Sequence, residues 1–91
     1  MEFEWGEEKR AKNLADHGVD FVRVALMFAN PTIEDVDDRE DYGEERIIAL
    51  GHVDGAVYRV VYTLRADVIR LISAQKAHRR DQKRYFAEVS G

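Results

Sequence analysis

The chain has 91 residues, 45% hydrophobic and 35% charged, which is enough for one core and is the basis for expecting a single domain over residues 1–91. It has no cysteine, no apolar run near the ~20 residues of a bilayer span and no secretory-type stretch in MEFEWGEEKR, which excludes a disulfide scaffold, a thiol nucleophile and Cys-ligated zinc, and points to a soluble cytoplasmic protein without a membrane partner. The net charge of −4 is unevenly spread: residues 1–28 carry six acids and four bases, residues 29–58 nine and two, and residues 59–91 three and eight, so the last third is a local cationic field.

Glu2-Phe3-Glu4-Trp5 alternates polar and apolar, as a short edge strand does, and Gly6 breaks it. Glu7 to Asp16 reads as a helix with acids first and bases following, and with a thin apolar stripe of Ala11, Leu14 and Ala15. Gly18 suits its C-terminus, where a positive φ is needed. Asp20 is an N-cap for a second helix over Phe21 to Ala29, whose core face is Phe21, Val24, Ala25 and Phe28. Asn30-Pro31 stops it. Thr32 to Val36 reads as a strand, and Asp37 to Glu45 as an acidic loop turning at Gly43. Three strands follow: Arg46 to Val53, Ala56 to Leu64 and Val68 to Ala74, joined by a hairpin at Asp54-Gly55 and a turn over Arg65-Ala66-Asp67. Lys76 to Val89 is helical. The expected fold is α+β, a small and mostly antiparallel sheet with two N-terminal helices and one C-terminal helix.

The two turns imply a register. Val53 faces Ala56 and Ile47 faces Tyr62 across the first; Leu64 faces Val68 and Tyr62 faces Arg70 across the second. One sheet face then carries Ile47, Ala49, Tyr58, Val60, Tyr62, Arg70 and Ile72. The other carries Ile48, Leu50, His52, Val57, Arg59, Val61, Thr63, Leu71 and Ser73. Both are largely apolar with one arginine each, so the pattern leaves open which face is uncovered.

On a helical wheel Lys76, Arg79, Arg80, Lys83 and Arg84 share one arc of ~140°, opposite Tyr85, Phe86 and Val89, which can dock on the sheet. Like charges so placed repel, and a polyanion relieves the repulsion while releasing counterions. The stripe reads as an anion-binding face, able to take a polyanion such as RNA, or as a solvated helix surface. Metal-free RNA cleavage needs a base for the 2′-hydroxyl, in-line geometry and cations on the phosphorane. Arg59, Arg70 and the helix cations suit the last task, and Tyr62, Tyr85, His17, His52 or a lysine can move protons. The bland alternatives are tyrosines that pack, a His17 that complements a helix dipole, and a His52 at the surface. Arg70, between Ile69 and Leu71, must reach solvent, a carboxylate or a ligand. The acids from Asp35 to Glu45 match no EF-hand, and HExxH, GxGxxG, P-loop and GxSxG patterns are absent, so no metal and no cofactor are expected.

In order along nearly the whole chain, the sequence resembles the BrnT family of type II toxin–antitoxin ribonucleases. The pieces are Phe3 to Trp5, Lys9, Asn13, His17 to Phe21, Phe28, Pro31, Asp37 and Arg39, Tyr42 to Arg46, Gly51, Val61 to Thr63, Arg70 to Ala74, Arg79 to Asp81, and Arg84 with Tyr85. Gly6 stands where the family usually has Asp, and Gln75 where it usually has Arg. The resemblance implies a RelE-like fold, metal-independent RNA cleavage that blocks translation, and neutralisation by a BrnA-like ribbon-helix-helix antitoxin in a hetero-oligomer. Operator DNA would be bound only through that antitoxin. It also implies catalytic roles for Arg70 and Tyr85, beside Tyr62, His17 and Arg59 from the residue reading.

Two functions follow. The first is a ribonuclease toxin. The second is a catalytically weak binding module that acts only with its partner in operon regulation, a reading that Gln75 and the acidic total favour. In either case the acidic loop from Asp37 to Glu45 is suited to a basic antitoxin segment.

Overall fold

A computed structural model describes residues 1–90. Five strands form one sheet: β1 (Glu2–Glu4), β2 (Ile33–Asp37), β3 (Arg46–Val53), β4 (Ala56–Arg65) and β5 (Val68–Lys76). Their order is β1-β5-β4-β3-β2; β1 runs parallel to β5 and every other pair is antiparallel. The helices are α1 (Glu7–His17), α2 (Phe21–Val24) and α3 (Arg79–Ser90), and a 3₁₀ segment over Ala25–Ala29 continues α2. The class is α+β, as the sequence pattern implies.

Gly18 closes α1 at φ 68°, its N–H donating to the Leu14 carbonyl at 2.9 Å. The Asp20 carboxylate accepts from Val22 N–H at the start of α2 and also binds Arg10, which ties the two helices together. The second helix departs from the expected one. It tightens to three residues per turn after Val24, so the buried positions are Phe21, Val24 and Met27 at even spacing, while Ala25 and Phe28 are only half-buried. α1 also departs. Its stripe of Ala11, Leu14 and Ala15 is exposed, and the one residue of α1 that is buried is Asn13.

The β3–β4 hairpin has the expected register, with Asp54 and Gly55 both at positive φ as a type I′ turn requires. The β4–β5 turn is shorter than expected. Ala66 and Asp67 alone form it, so Arg65 faces Val68, Thr63 faces Arg70 and Tyr62 faces Leu71. A bulge between Val61 and Tyr62 then sets Val60 opposite Ala74, where the expected register would place Ile72. Arg70 therefore leaves the Tyr62 face and Leu71 joins it, the exchange that a one-residue slip produces.

That first face, with Ala49, Val53, Tyr58, Val60, Tyr62, Ile69, Leu71 and Ala74, packs on Phe21, Val24 and Met27. The second face is covered at one end by α3, where Tyr85 and Ala77 pack on Leu50 and Val57. β5 extends to Lys76 and α3 starts only at Arg79, so Lys76 stands outside the helical stripe. Phe86 and Val89 do not dock; they remain 43% and 37% exposed.

Candidate nucleic-acid interface

Between α1 and the uncovered end of the second face lies an open cleft of about 290 Å³. From α1 it is lined by Lys9, Lys12, Asn13, Asp16 and His17, which fall on one side of the helix at three- and four-residue spacing. Ile72 and Ser73 of β5 and Arg46 of β3 complete it.

Asn13 fixes this arrangement. Its amide donates to the carbonyls of Val19 and Ala74, both at 2.9 Å, and its oxygen accepts from Ala74 N–H at 3.0 Å. β1 covers the outer edge of β5 only as far as Arg70, so one side chain of α1 continues the ladder where the strand has ended. The helix is thereby turned with its polar side toward the sheet.

Three cations and one carboxylate line the cleft. Lys12 donates to Asp16 at 2.7 Å, which raises the ammonium pKa and lowers that of the carboxyl. Lys9 is exposed and has no carboxylate within ion-pair distance among the described residues. Arg46 is held by stacking: its guanidinium carbon is 3.9 Å from the centre of the Tyr42 ring, and its buried Nε has no hydrogen-bond partner. The result is a surplus of positive charge on an acidic protein, at a concave site that suits an anion such as a phosphodiester.

Of the five catalytic candidates, only His17 lines this cleft. Arg59 is half-buried on the second face, opposite Gln75 in the ladder. Arg70 shares that face and pairs with Glu4 at 3.2 Å. Tyr62 lies in the first-face core, 4% exposed, and donates to the Glu34 carboxylate at 2.8 Å; burial and then Glu34 push its pKa upward. Tyr85 has no exposed surface, donates to the Pro31 carbonyl at 2.6 Å and is raised by burial. The two tyrosines are thus on opposite sides of the sheet. In the cationic stripe, Arg84 is bound to Asp35 at 3.1 Å and Glu88 at 3.6 Å, with Asp35 the main cause of its raised pKa. Lys76, Arg79, Arg80 and Lys83 are exposed, with no ion pair among the described residues. Residue reasoning gave no role to Lys9, Arg46 or Ser73; the signal present was the polar periodicity of α1, which outruns its apolar stripe.

A family model described as the ribonuclease toxin BrnT of type II toxin–antitoxin systems matches residues 5–81. The chain belongs to the BrnT family. No curated protein matches it. The BrnT match begins just after β1, takes in α1, the whole acidic loop, Arg46 and strands β2 to β5, hence every residue of the cleft, and stops within the first turn of α3. BrnT membership makes this a ribonuclease toxin of a type II system, and such a system supplies an antitoxin as partner. No helix among the described residues is long and apolar enough to cross a membrane.

Proposed function

We propose that this BrnT toxin is a metal-independent endoribonuclease whose RNA phosphate binds in the cleft between α1 and the second sheet face. The observation that carries the reading is the convergence of Lys9, His17 and Arg46 on one concave surface of a protein with net charge −4. Arg46 and Lys9 hold the phosphate and oppose the charge that grows on the phosphorane. His17 takes the proton of the 2′-hydroxyl as its oxygen attacks phosphorus. The bond to the 5′-oxygen breaks, that oxygen collects a proton from a cleft ammonium, and a 2′,3′-cyclic phosphate remains. The single carboxylate of the cleft, Asp16, is engaged by Lys12, a donor set better matched to anions than to a divalent cation. Arg59 and the free cations Arg79, Arg80 and Lys83 extend the path of the strand toward α3.

The antiparallel β3–β4–β5 core with helices on both faces supports a RelE-like fold. Family membership supports cytoplasmic translation arrest, and a BrnA-like ribbon-helix-helix antitoxin that carries the operator contact in a hetero-oligomer. The test is cleavage of a labelled single-stranded RNA in EDTA. Lys9→Ala, His17→Ala and Arg46→Ala are each expected to lower the rate by about 10²-fold or more, the size of a lost acid–base or charge-stabilising group. Tyr85→Phe is expected to leave it within a few-fold of the parent. A parent that binds RNA but cuts nothing supports instead a binding module that acts with its antitoxin, and cleavage indifferent to all three cleft substitutions removes the site.

A further inference from the structure

The β2–β3 register sets Asp37 directly opposite Arg46. Opposite charges facing each other across antiparallel strands normally attract and pair. Here the pair is not made. Both oxygens of Asp37 go to Arg39, whose Nε and Nη2 donate at 2.7 and 2.8 Å, and the Arg39 backbone N–H adds a longer bond at 3.4 Å. This two-pronged geometry is the strong form of an arginine–carboxylate contact. The Asp37 side chain is fully buried, whereas that of Arg39 is 60% exposed, so the loop supplies a cation at little desolvation cost. The Arg39 contact holds the Asp37 carboxyl down at about 2, with Tyr42 contributing. Arg46 meanwhile lies on the ring of Tyr42, which orients a guanidinium without neutralising it.

We propose that Arg39 is a positioning residue that diverts Asp37, leaving the guanidinium of Arg46 free to hold RNA phosphate in the cleft. The inference rests on the cleft reading above. Without Arg39, a buried carboxylate faces Arg46 with no other cation, and an Asp37–Arg46 ion pair becomes the simplest relief. Arg46 is then neutralised and drawn toward β2. If the charge of Asp37 is removed as well, that pull disappears.

The prediction is a pattern across four full-length variants, Arg39→Ala, Asp37→Asn, their double and Arg46→Ala, each checked for folding by circular dichroism. Two quantities are measured: affinity for a fluorescein-labelled single-stranded RNA with 2′-O-methyl groups, which binds without being cut, and the Nε–H resonances of the arginines by NMR. Arg46→Ala is expected to weaken binding by about tenfold, as loss of one charged hydrogen-bonding group does. Arg39→Ala weakens it to a similar degree and shifts the Arg46 resonance. Asp37→Asn alone and the double variant bind within about twofold of the parent, a margin well inside one charged contact. Arg39→Ala with unchanged affinity and an unmoved Arg46 resonance overturns the proposal. A loss that persists in the double variant also overturns it, because Arg39 would then serve only the shape of the loop. If Arg46→Ala leaves RNA affinity unchanged, the cleft reading has failed, and the arginine spectrum alone judges the diversion of Asp37.

Discussion

Asn13 makes three hydrogen bonds, all to backbone groups, from a site only 5% exposed: two join α1 to Ala74 of the sheet and one holds the Val19 carbonyl after the helix. Replacing its amide with a methyl group would leave the Ala74 N–H and two carbonyls unpaired in a place that water reaches poorly. Each such group costs on the order of 1–3 kcal/mol, and alanine's better helix propensity returns less than about 1 kcal/mol. Asn13→Ala should therefore lower the unfolding free energy by about 2 kcal/mol or more in a urea titration followed by Trp5 fluorescence. Leu14→Ala, at a site 47% exposed on the outer side of the same helix, should lower it by much less. Equal effects of the two would mean that α1 is held by its apolar stripe and not by the amide. Asn13 also turns Lys9 and His17 toward the second face, so the same bonds serve stability and the cleft.

The 3₁₀ segment packs on the sheet through Phe28, against Phe3 and Tyr62, and makes a closer approach at Gly51. An added Cβ at Gly51 would stand 3.0 Å from both Cγ and Sδ of Met27 and 3.1 Å from its Cβ. Met27 is fully buried, and two of those atoms lie near its own backbone, so the segment itself has to yield. Gly51→Ala is expected to cost about 1–3 kcal/mol, the range for overpacking a filled core, measured by thermal unfolding. Paired with Met27→Ala, the two losses should sum to less than their separate values; strict additivity would show that Gly51 does not meet Met27. This contact bears on what the sequence could reveal. The Gly18 and Asp20 caps, the Asp54-Gly55 turn and the β3–β4 register were legible, because each depends on local chemistry. The tightening after Val24 was not, because Phe21, Val24, Ala25 and Phe28 fit an α-helical wheel equally well and only Gly51 across the core selects Met27. The slip of Arg70 to the second face had a similar cause: Arg65-Ala66-Asp67 reads as a three-residue loop unless Ala66 takes a positive φ, at 54°, which its residue type does not announce. Of the cleft, His17 was legible. Lys9 and Arg46 were not, since α1 turns its polar side inward through Asn13 and Arg46 depends on a carboxylate being occupied elsewhere.

Over the whole molecule, the second face offers two groups of free cations, and the salt dependence of RNA binding separates them. Lys12 and Arg84 already have carboxylate partners, so they contribute little counterion release. Lys76 belongs to the other side of β5, two residues beyond the first-face residue Ala74. Lys9, Arg46 and Arg59 remain in and beside the cleft, and Arg79, Arg80 and Lys83 remain on α3. Each neutralised phosphate of a single strand contributes about 0.7 to the slope of log affinity against log salt. Binding by the cleft group alone would give a slope of about −2, and by both groups about −4. A continuous strand path predicts a value near −4 for the parent, falling to about −2 when Arg79, Arg80 and Lys83 are all changed to alanine. Because the net charge of −4 repels RNA at long range, the association rate should fall along with the slope when the α3 cations are lost. A parent slope near −2 that the triple substitution does not move would confine the RNA to the cleft and leave the α3 cations as a solvated surface.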